Sequence, residues 1–262
     1  MQPLDGFSSQ ARAGIVGVLT DIDDTLTTEG HLTAAAYAAL ERLHGAGLMV
    51  IPVTGRPAGW CDHIARMWPV DAVVGENGAF WMRRDAGAKR LKTVFAGHPP
   101  PDRQPRIDAL AAEILAAVPG CALASDQFCR IADLAVDYCE DVAPLPPAAV
   151  SAIVQRMEAA GMRAKVSSIH VNGWFGDYDK LSTTRRMLAE EFGMSLEAER
   201  ERWVFVGDSP NDAPMFGFFP HSVGVANVLD FLDRLEEKPA YLTRARAGAG
   251  FVELCEALLA GR

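Results

Sequence analysis

The stretch GIVGVLTDIDDT, residues 14–25, joins an apolar, β-branched run to three aspartates within four positions. A short apolar run of this kind is the pattern of a strand buried on both faces of a parallel sheet. Carboxylates crowded at the end of such a strand repel one another and resist desolvation. The loop is therefore either a solvated turn or a place that holds positive charge.

The same pattern recurs along the chain. LMVIPVTG (48–55) and WVFVGD (203–208) are further short apolar runs that end in polar residues. Between the first two, Thr33 reads as the N-cap of a helix over roughly 34–46. PAGWCDHIARM (57–67) reads as a second helix, and DAVVGENGAFWM (71–82) as a strand and a turn. The βαβαβ alternation predicts an α/β fold with a doubly wound parallel sheet. Ligands in such sheets bind outside the carboxyl ends of the strands.

The alternation then changes. AGHPPPDRQP (96–105) is a Pro-rich connection, followed by a helix at 106–118, a strand at LAVDYCE (134–140) and a helix at about 148–160. MRAKVSSIHVNGWF (162–175) reads as one strand, on which alternation puts Ser168, His170 and Asn172 on a single face. An amphipathic helix runs from Lys180 to Gly193. HSVGVAN and AYLT read as short strands and GFVELCEALLA as a closing helix. The simplest organisation is a Rossmann-like core from residues 1–84 and 179–262, with a smaller α+β insertion over 85–178.

The 262 residues are 49% hydrophobic and 23% charged, with a formal net charge of −9. That balance argues against nucleic acid as a partner, since no basic surplus exists to neutralise a phosphate backbone. Five cysteines without a CxxC pair argue against a zinc site or a disulfide framework. With no signal peptide and no membrane-spanning run, the expectation is a cytoplasmic protein, monomeric or a small homo-oligomer.

Reactive residue types collect where the sheet would open. Asp21, Asp23 and Asp208 offer hard oxygen ligands, which suit Mg²⁺. Thr54 and Lys180 offer a hydroxyl and a cation, which suit a phosphoryl group. Asp21 then serves as a nucleophile toward phosphorus and Asp23 as the acid and base for the leaving group and water. A lone Asp-rich turn, a lone TGR or a lone helix-opening lysine says little, but the four together, in order and around the strand ends, form a strong signal.

DIDDT at 21–25 resembles the DxDxT signature of the haloacid dehalogenase-like superfamily of phosphohydrolases. VTGR (53–56), Lys180 and GDSPND (207–212) resemble its second, third and fourth motifs. The insertion between motifs two and three, preceded by GENGA (75–79), is similar to the Cof-type branch with an α/β cap. That branch includes sucrose-phosphate, trehalose-phosphate and mannosyl-3-phosphoglycerate phosphatases and the eukaryotic phosphomannomutases. The resemblance implies Mg²⁺ held by the Asp21 side chain, the Asp23 backbone carbonyl and Asp208, with Asp212 supporting the ion and its waters. It implies a phosphate site at Thr54, Gly55, Lys180 and Asn211. Leu181 departs from the pattern, since many relatives have glycine after the motif-three lysine.

The resulting expectation is a Mg²⁺-dependent phosphatase acting on a small phosphate monoester, most simply a sugar phosphate, through an aspartyl-phosphate. A phosphomutase of the same fold and a non-catalytic phosphosugar sensor are the alternatives. For the non-phosphate part of the substrate, the candidates are Arg56, Glu76, Asn77, Ser168, His170 and Asn172, with Arg130 and Asp137 on the neighbouring strand. The histidines show no metal-ligand spacing, and Cys61 and His63 do not share a helix face.

Overall fold

The computed structural model describes residues 1–85, 87–98 and 100–260. Ala86, Pro99 and the last two residues, which fall in the expected insertion, its Pro-rich connection and the C-terminal part of the core, lie outside the described residues.

Six strands form one parallel sheet, in the order Gln2–Pro3, Tyr241–Leu242, His221–Gly224, Trp203–Gly207, Gly17–Thr20 and Met49–Pro52. Alternation along the strands sorts their side chains to two sides. Val18, Val50, Val204 and Val206 pack with Leu40 and Leu43, Ile64, and Phe251 and Leu254 of three helices. Leu19, Ile51 and Phe205 pack on the other side with Met187, Leu188, Met215 and Phe216. Helices thus cover both faces, as the apolar runs predict. Gly17 is required by the close approach of Trp203, whose ring lies 2.3 Å from where a Cβ would stand.

The helices begin at readable signals. Thr33 Oγ1 accepts the Ala36 N–H at the start of Ala34–Gly45. Asp179 caps Lys180–Phe192 through the Ser182 N–H at 2.7 Å, and Gly193 closes that helix with φ 66°. Leu181 packs partly buried in the second cluster, so a side chain at that position is accommodated.

Val73–Gly75 does not extend the main sheet as a full strand. It touches it through one parallel bridge, Val53 to Val74, and leads an antiparallel sheet with Phe80–Asp85 and Arg90–Phe95.

A third apolar cluster draws on residues from Ile107 to Phe175. Here Arg163–Val166, His170–Trp174, Asp133–Asp137 and Ala122–Leu123 form an antiparallel sheet. Leu134, Val136 and Val171 pack against the helices Arg103–Ala117 and Pro147–Ala159. Asp133, Asp137, His170 and Asn172 occupy the other face and are buried. The single strand expected over 162–175 is in fact a hairpin, because Ser167 turns the chain. Its Oγ accepts the N–H groups of Ile169 and His170 and donates to the His170 carbonyl. Ser168 therefore sits in the turn, not on a strand face with His170 and Asn172. Among the described residues, no helix is long and apolar enough to cross a membrane.

Candidate active site

Three adjacent parallel strands end at Thr20, Pro52 and Gly207, which delivers Asp21, Thr54 and Asp208 to one edge of the sheet. Asp21 is fixed by its N–H, which donates to the Val206 carbonyl at 2.9 Å. Lys180 enters from the first turn of its helix, its Nζ donating to Asp21 Oδ1 at 2.9 Å and to Asp212 Oδ1 at 2.7 Å. Asp212 Oδ2 accepts the N–H groups of Asp208 and Ser209. Thr25 Oγ1 and Asn227 Nδ2 donate to the two oxygens of Asp208.

Asp21, Asp208 and Asp212 are all buried, with one oxygen of each within 4.8 Å of the others. Three carboxylates face one lysine, and the electrostatics register the shortfall. Burial raises the Asp21 carboxyl to about 7 even though Lys180 pulls it down. Burial, Asp21 and Asp212 push Asp208 well above the usual carboxylate range. Buried oxygen ligands with two negative charges left uncompensated fit a hard divalent cation. The Asp23 side chain lies outside this trio; its Oδ1 accepts from Arg56 Nε at 2.8 Å.

Thr54 is buried at the start of the second loop, where its Oγ1 accepts the Arg56 N–H at 3.0 Å. Gly55 approaches Asn77 so closely that a Cβ would lie 3.1 Å from Asn77 Nδ2. Asn211 is held by Ser209 Oγ, which donates to its Oδ1 at 2.9 Å.

The inserted segment closes over these residues. A narrow cleft is lined by Asp21, Asp23, Gly55 and Asn211 below and by Arg130, His170 and Asn172 above. Arg56 crosses the gap, donating to Asp126 at 3.2 Å and Glu140 at 2.7 Å as well as to Asp23. Arg130 crosses in the other direction, to the Gly55 carbonyl at 2.9 Å, while binding Asp126 and Asp133. Asn172 Nδ2 donates to Asp133, and His170 Nε2 lies 2.8 Å from Glu140 Oε2. Burial would raise the Glu140 carboxyl, but hydrogen bonds from His170 and Arg56 hold it down at about 2.

Of the residues singled out in the sequence, Asp21, Asp23, Gly55, Arg56, Asn211, His170 and Asn172 line this one cavity, and Thr54, Lys180, Asp208 and Asp212 adjoin it. Ser168 lines a wider chamber on the Asp23 side. The Glu76 carboxylate is engaged by backbone, accepting the N–H groups of Ala58, Ile131, Ala132 and Asp133. Asp137 is likewise engaged by backbone, accepting from Cys139, Glu140 and Asp141 and so fixing the loop that presents Glu140. Asp126 and Glu140 were not visible as site residues. Their neighbours in sequence carry no motif, and only the fold brings them to Arg56.

Residues 18–93 match the family model of haloacid dehalogenase-like hydrolases. No curated protein matches the chain in sequence. Solved structures share its fold at low identity. A HAD/COF-like hydrolase from Plasmodium vivax superposes with TM-score 0.71 at 15% identity, over 97% of this chain and 99% of that one. The trehalose-6-phosphate phosphatase C-terminal domain of C. albicans gives TM-score 0.68 at 14% identity, over 95% and 94%. The Synechocystis sucrose-phosphatase, solved with sucrose and phosphate, gives TM-score 0.60 at 15% identity, over 93% and 98%. Residues 18–93 are thus similar to haloacid dehalogenase-like hydrolases, and the chain as a whole shares the fold of these solved structures.

Proposed function

We propose that this protein is a Mg²⁺-dependent phosphatase of small phosphate monoesters, with sugar phosphates as the substrate class and the cytoplasm as its location. The observation that carries the reading is the buried group of Asp21, Asp208 and Asp212 around Lys180, with Asp23 facing the same cavity.

Asp21 Oδ2 attacks phosphorus while the bond from phosphorus to the ester oxygen breaks. Asp23 gives its proton to the departing alkoxide. Asp23 then takes a proton from a water that attacks the aspartyl-phosphate, which releases phosphate and restores Asp21. Lys180, Thr54, the Gly55 backbone and Asn211 hold the phosphoryl oxygens. A Mg²⁺ held by Asp21, the Asp23 carbonyl and Asp208, with Asp212 in support, would supply charge stabilisation at the transferring group.

The segment 85–178 acts as the cap that closes the site against bulk water. The chamber beside Asp23, where a leaving group must sit, is lined by Arg56, Glu140, Asp141 and Ser168. Such polar walls suit a hydroxyl-rich group. The sucrose- and trehalose-6-phosphate phosphatases of the same fold support the choice of sugar phosphates.

The test is phosphate release from a panel of sugar phosphates, with Mg²⁺ or chelator, for the wild type and Asp21→Asn. Turnover that requires both Mg²⁺ and Asp21 is the expected result. Release of phosphate by Asp21→Asn at the wild-type rate would remove the mechanism.

A further inference from the structure

The turn Glu76–Asn77–Gly78 places three successive residues at positive φ, 44°, 54° and 105°. Such backbone is strained for non-glycine residues and persists only where the surroundings enforce it. Each residue of the turn has a different anchor. Glu76 takes one N–H from the helix Ala58–Met67 and three from the cap at Ile131–Asp133. Gly78 lies against the backbone of Asp179, whose oxygen is 2.2 Å from where a Cβ would stand, and its carbonyl accepts from Thr183 Oγ1. The turn is thereby fixed both to the cap and to the helix that carries Lys180.

Between these anchors, Asn77 is aimed at the phosphate loop. It is 2% exposed, and its N–H donates to the Thr54 carbonyl. The orientation of its amide follows from its neighbours. Ser209 donates to Asn211 Oδ1, which leaves Asn211 Nδ2 to face Asn77 Oδ1 at 3.5 Å. Asn77 Nδ2 then points toward Gly55 and has no hydrogen-bond partner among the described residues. A buried amide donor without an acceptor forfeits its hydration with nothing in return. Asn77, Lys180 and Asn211 also line one cavity between core and cap.

We propose that Asn77 is a further phosphoryl-binding residue, whose Nδ2 donates to an oxygen of the phosphate held by Thr54, Gly55, Lys180 and Asn211. The inference rests on the phosphatase reading above and adds a donor that the four motifs do not contain. It also explains the strain: the left-handed turn presents a side-chain amide to an anion while Glu76 ties that amide's position to the cap.

Asparagine tolerates left-handed backbone, so the turn alone also accounts for its presence. Asn77→Gly separates the two roles, because glycine keeps the backbone and removes the amide. With Mg²⁺ present, the readouts are inhibition by inorganic phosphate and kcat/KM for p-nitrophenyl phosphate. Both are expected to weaken by about tenfold to a hundredfold, the value of one hydrogen bond to a charged group, with Tm near wild type. Asn77→Asp keeps a residue suited to the turn but sets a carboxylate against the anion, and is expected to lose more. Phosphate affinity and kcat/KM within twofold of wild type in a folded Asn77→Gly would overturn the assignment. A wild type that binds phosphate without hydrolysing esters would remove the phosphatase reading, yet the Asn77→Gly phosphate affinity would still decide this one. A wild type that binds no phosphate would remove both.

Discussion

Arg56 of the core donates to Glu140 of the cap at 2.7 Å, and the same guanidinium holds Asp23, the residue assigned to protonate the leaving group. A single buried cation therefore bridges the inserted segment and the carboxylate proposed as acid and base.

Removing that cation leaves Asp126 and Glu140 facing each other and Asp23 without a partner. Arg56→Ala is expected to destabilise the protein by about 3 kcal/mol, the scale of breaking a buried ion pair. The loss should concentrate at the cap, and hydrogen exchange over Asp133–Asp137 and His170–Trp174 would show it. Arg56→Lys should recover only part, because an ammonium cannot span three carboxylates in fixed geometry. Unchanged exchange in Arg56→Ala would show that the contact does not hold the cap.

The Glu140 carboxyl is held at about 2, below its ordinary 4.5. A lowered folded-state value means that the unfolded chain binds the proton first as pH falls. Its contribution to stability is fully present above pH 4.5 and is lost as pH drops toward 2. A thermal-melt series from pH 6 to 2.5 should fall more steeply for wild type than for Glu140→Gln. Parallel slopes would contradict the pairing with Arg56 and His170.

Mg²⁺ should raise the melting temperature, since a ligand at a hundred times its Kd adds about 2.7 kcal/mol. Asp208→Asn removes one of three buried carboxylates and should abolish most of that gain. An equal Mg²⁺-dependent shift in the variant would place the ion elsewhere.

The chamber beside Asp23 also contains Asp24, Glu29, Glu140 and Asp141, against Arg56 and His31. A leaving group with a second negative charge meets a repulsive wall there. Wild type is expected to prefer a hexose monophosphate to the corresponding bisphosphate. The double variant Glu29→Lys, Asp141→Lys should narrow that preference by about threefold to tenfold, the scale of partly screened charge interactions. Identical preferences in the two proteins would mean that these carboxylates do not sense the substrate.

The central strands were legible because burial on both faces leaves little but apolar residues, as in Val18–Leu19 and Val204–Phe205. The meeting of Asp21, Thr54 and Asp208 was legible for a related reason: each follows one of those strands within two residues. The hairpin at 163–174 was not, because its turn uses a serine side chain where a glycine or asparagine would have marked the reversal. The Glu76 role was hidden for another reason. Three of its four partners are backbone N–H groups 55 to 57 residues away, which leave no trace in side-chain pattern. Gln2–Pro3 is too short a strand to carry periodicity.

The strand Gly17–Thr20 has its two neighbours at very different distances along the chain. Met49–Pro52 emerges soon after it, whereas Trp203–Gly207 emerges only after the whole cap. During synthesis one side of Gly17–Thr20 therefore waits, its edge amides and carbonyls exposed, while the inserted unit with its own apolar cluster is completed. The nascent protein holds an open sheet edge while the residues between Pro52 and Trp203 are made, and that interval is when chaperone binding or misassociation would act.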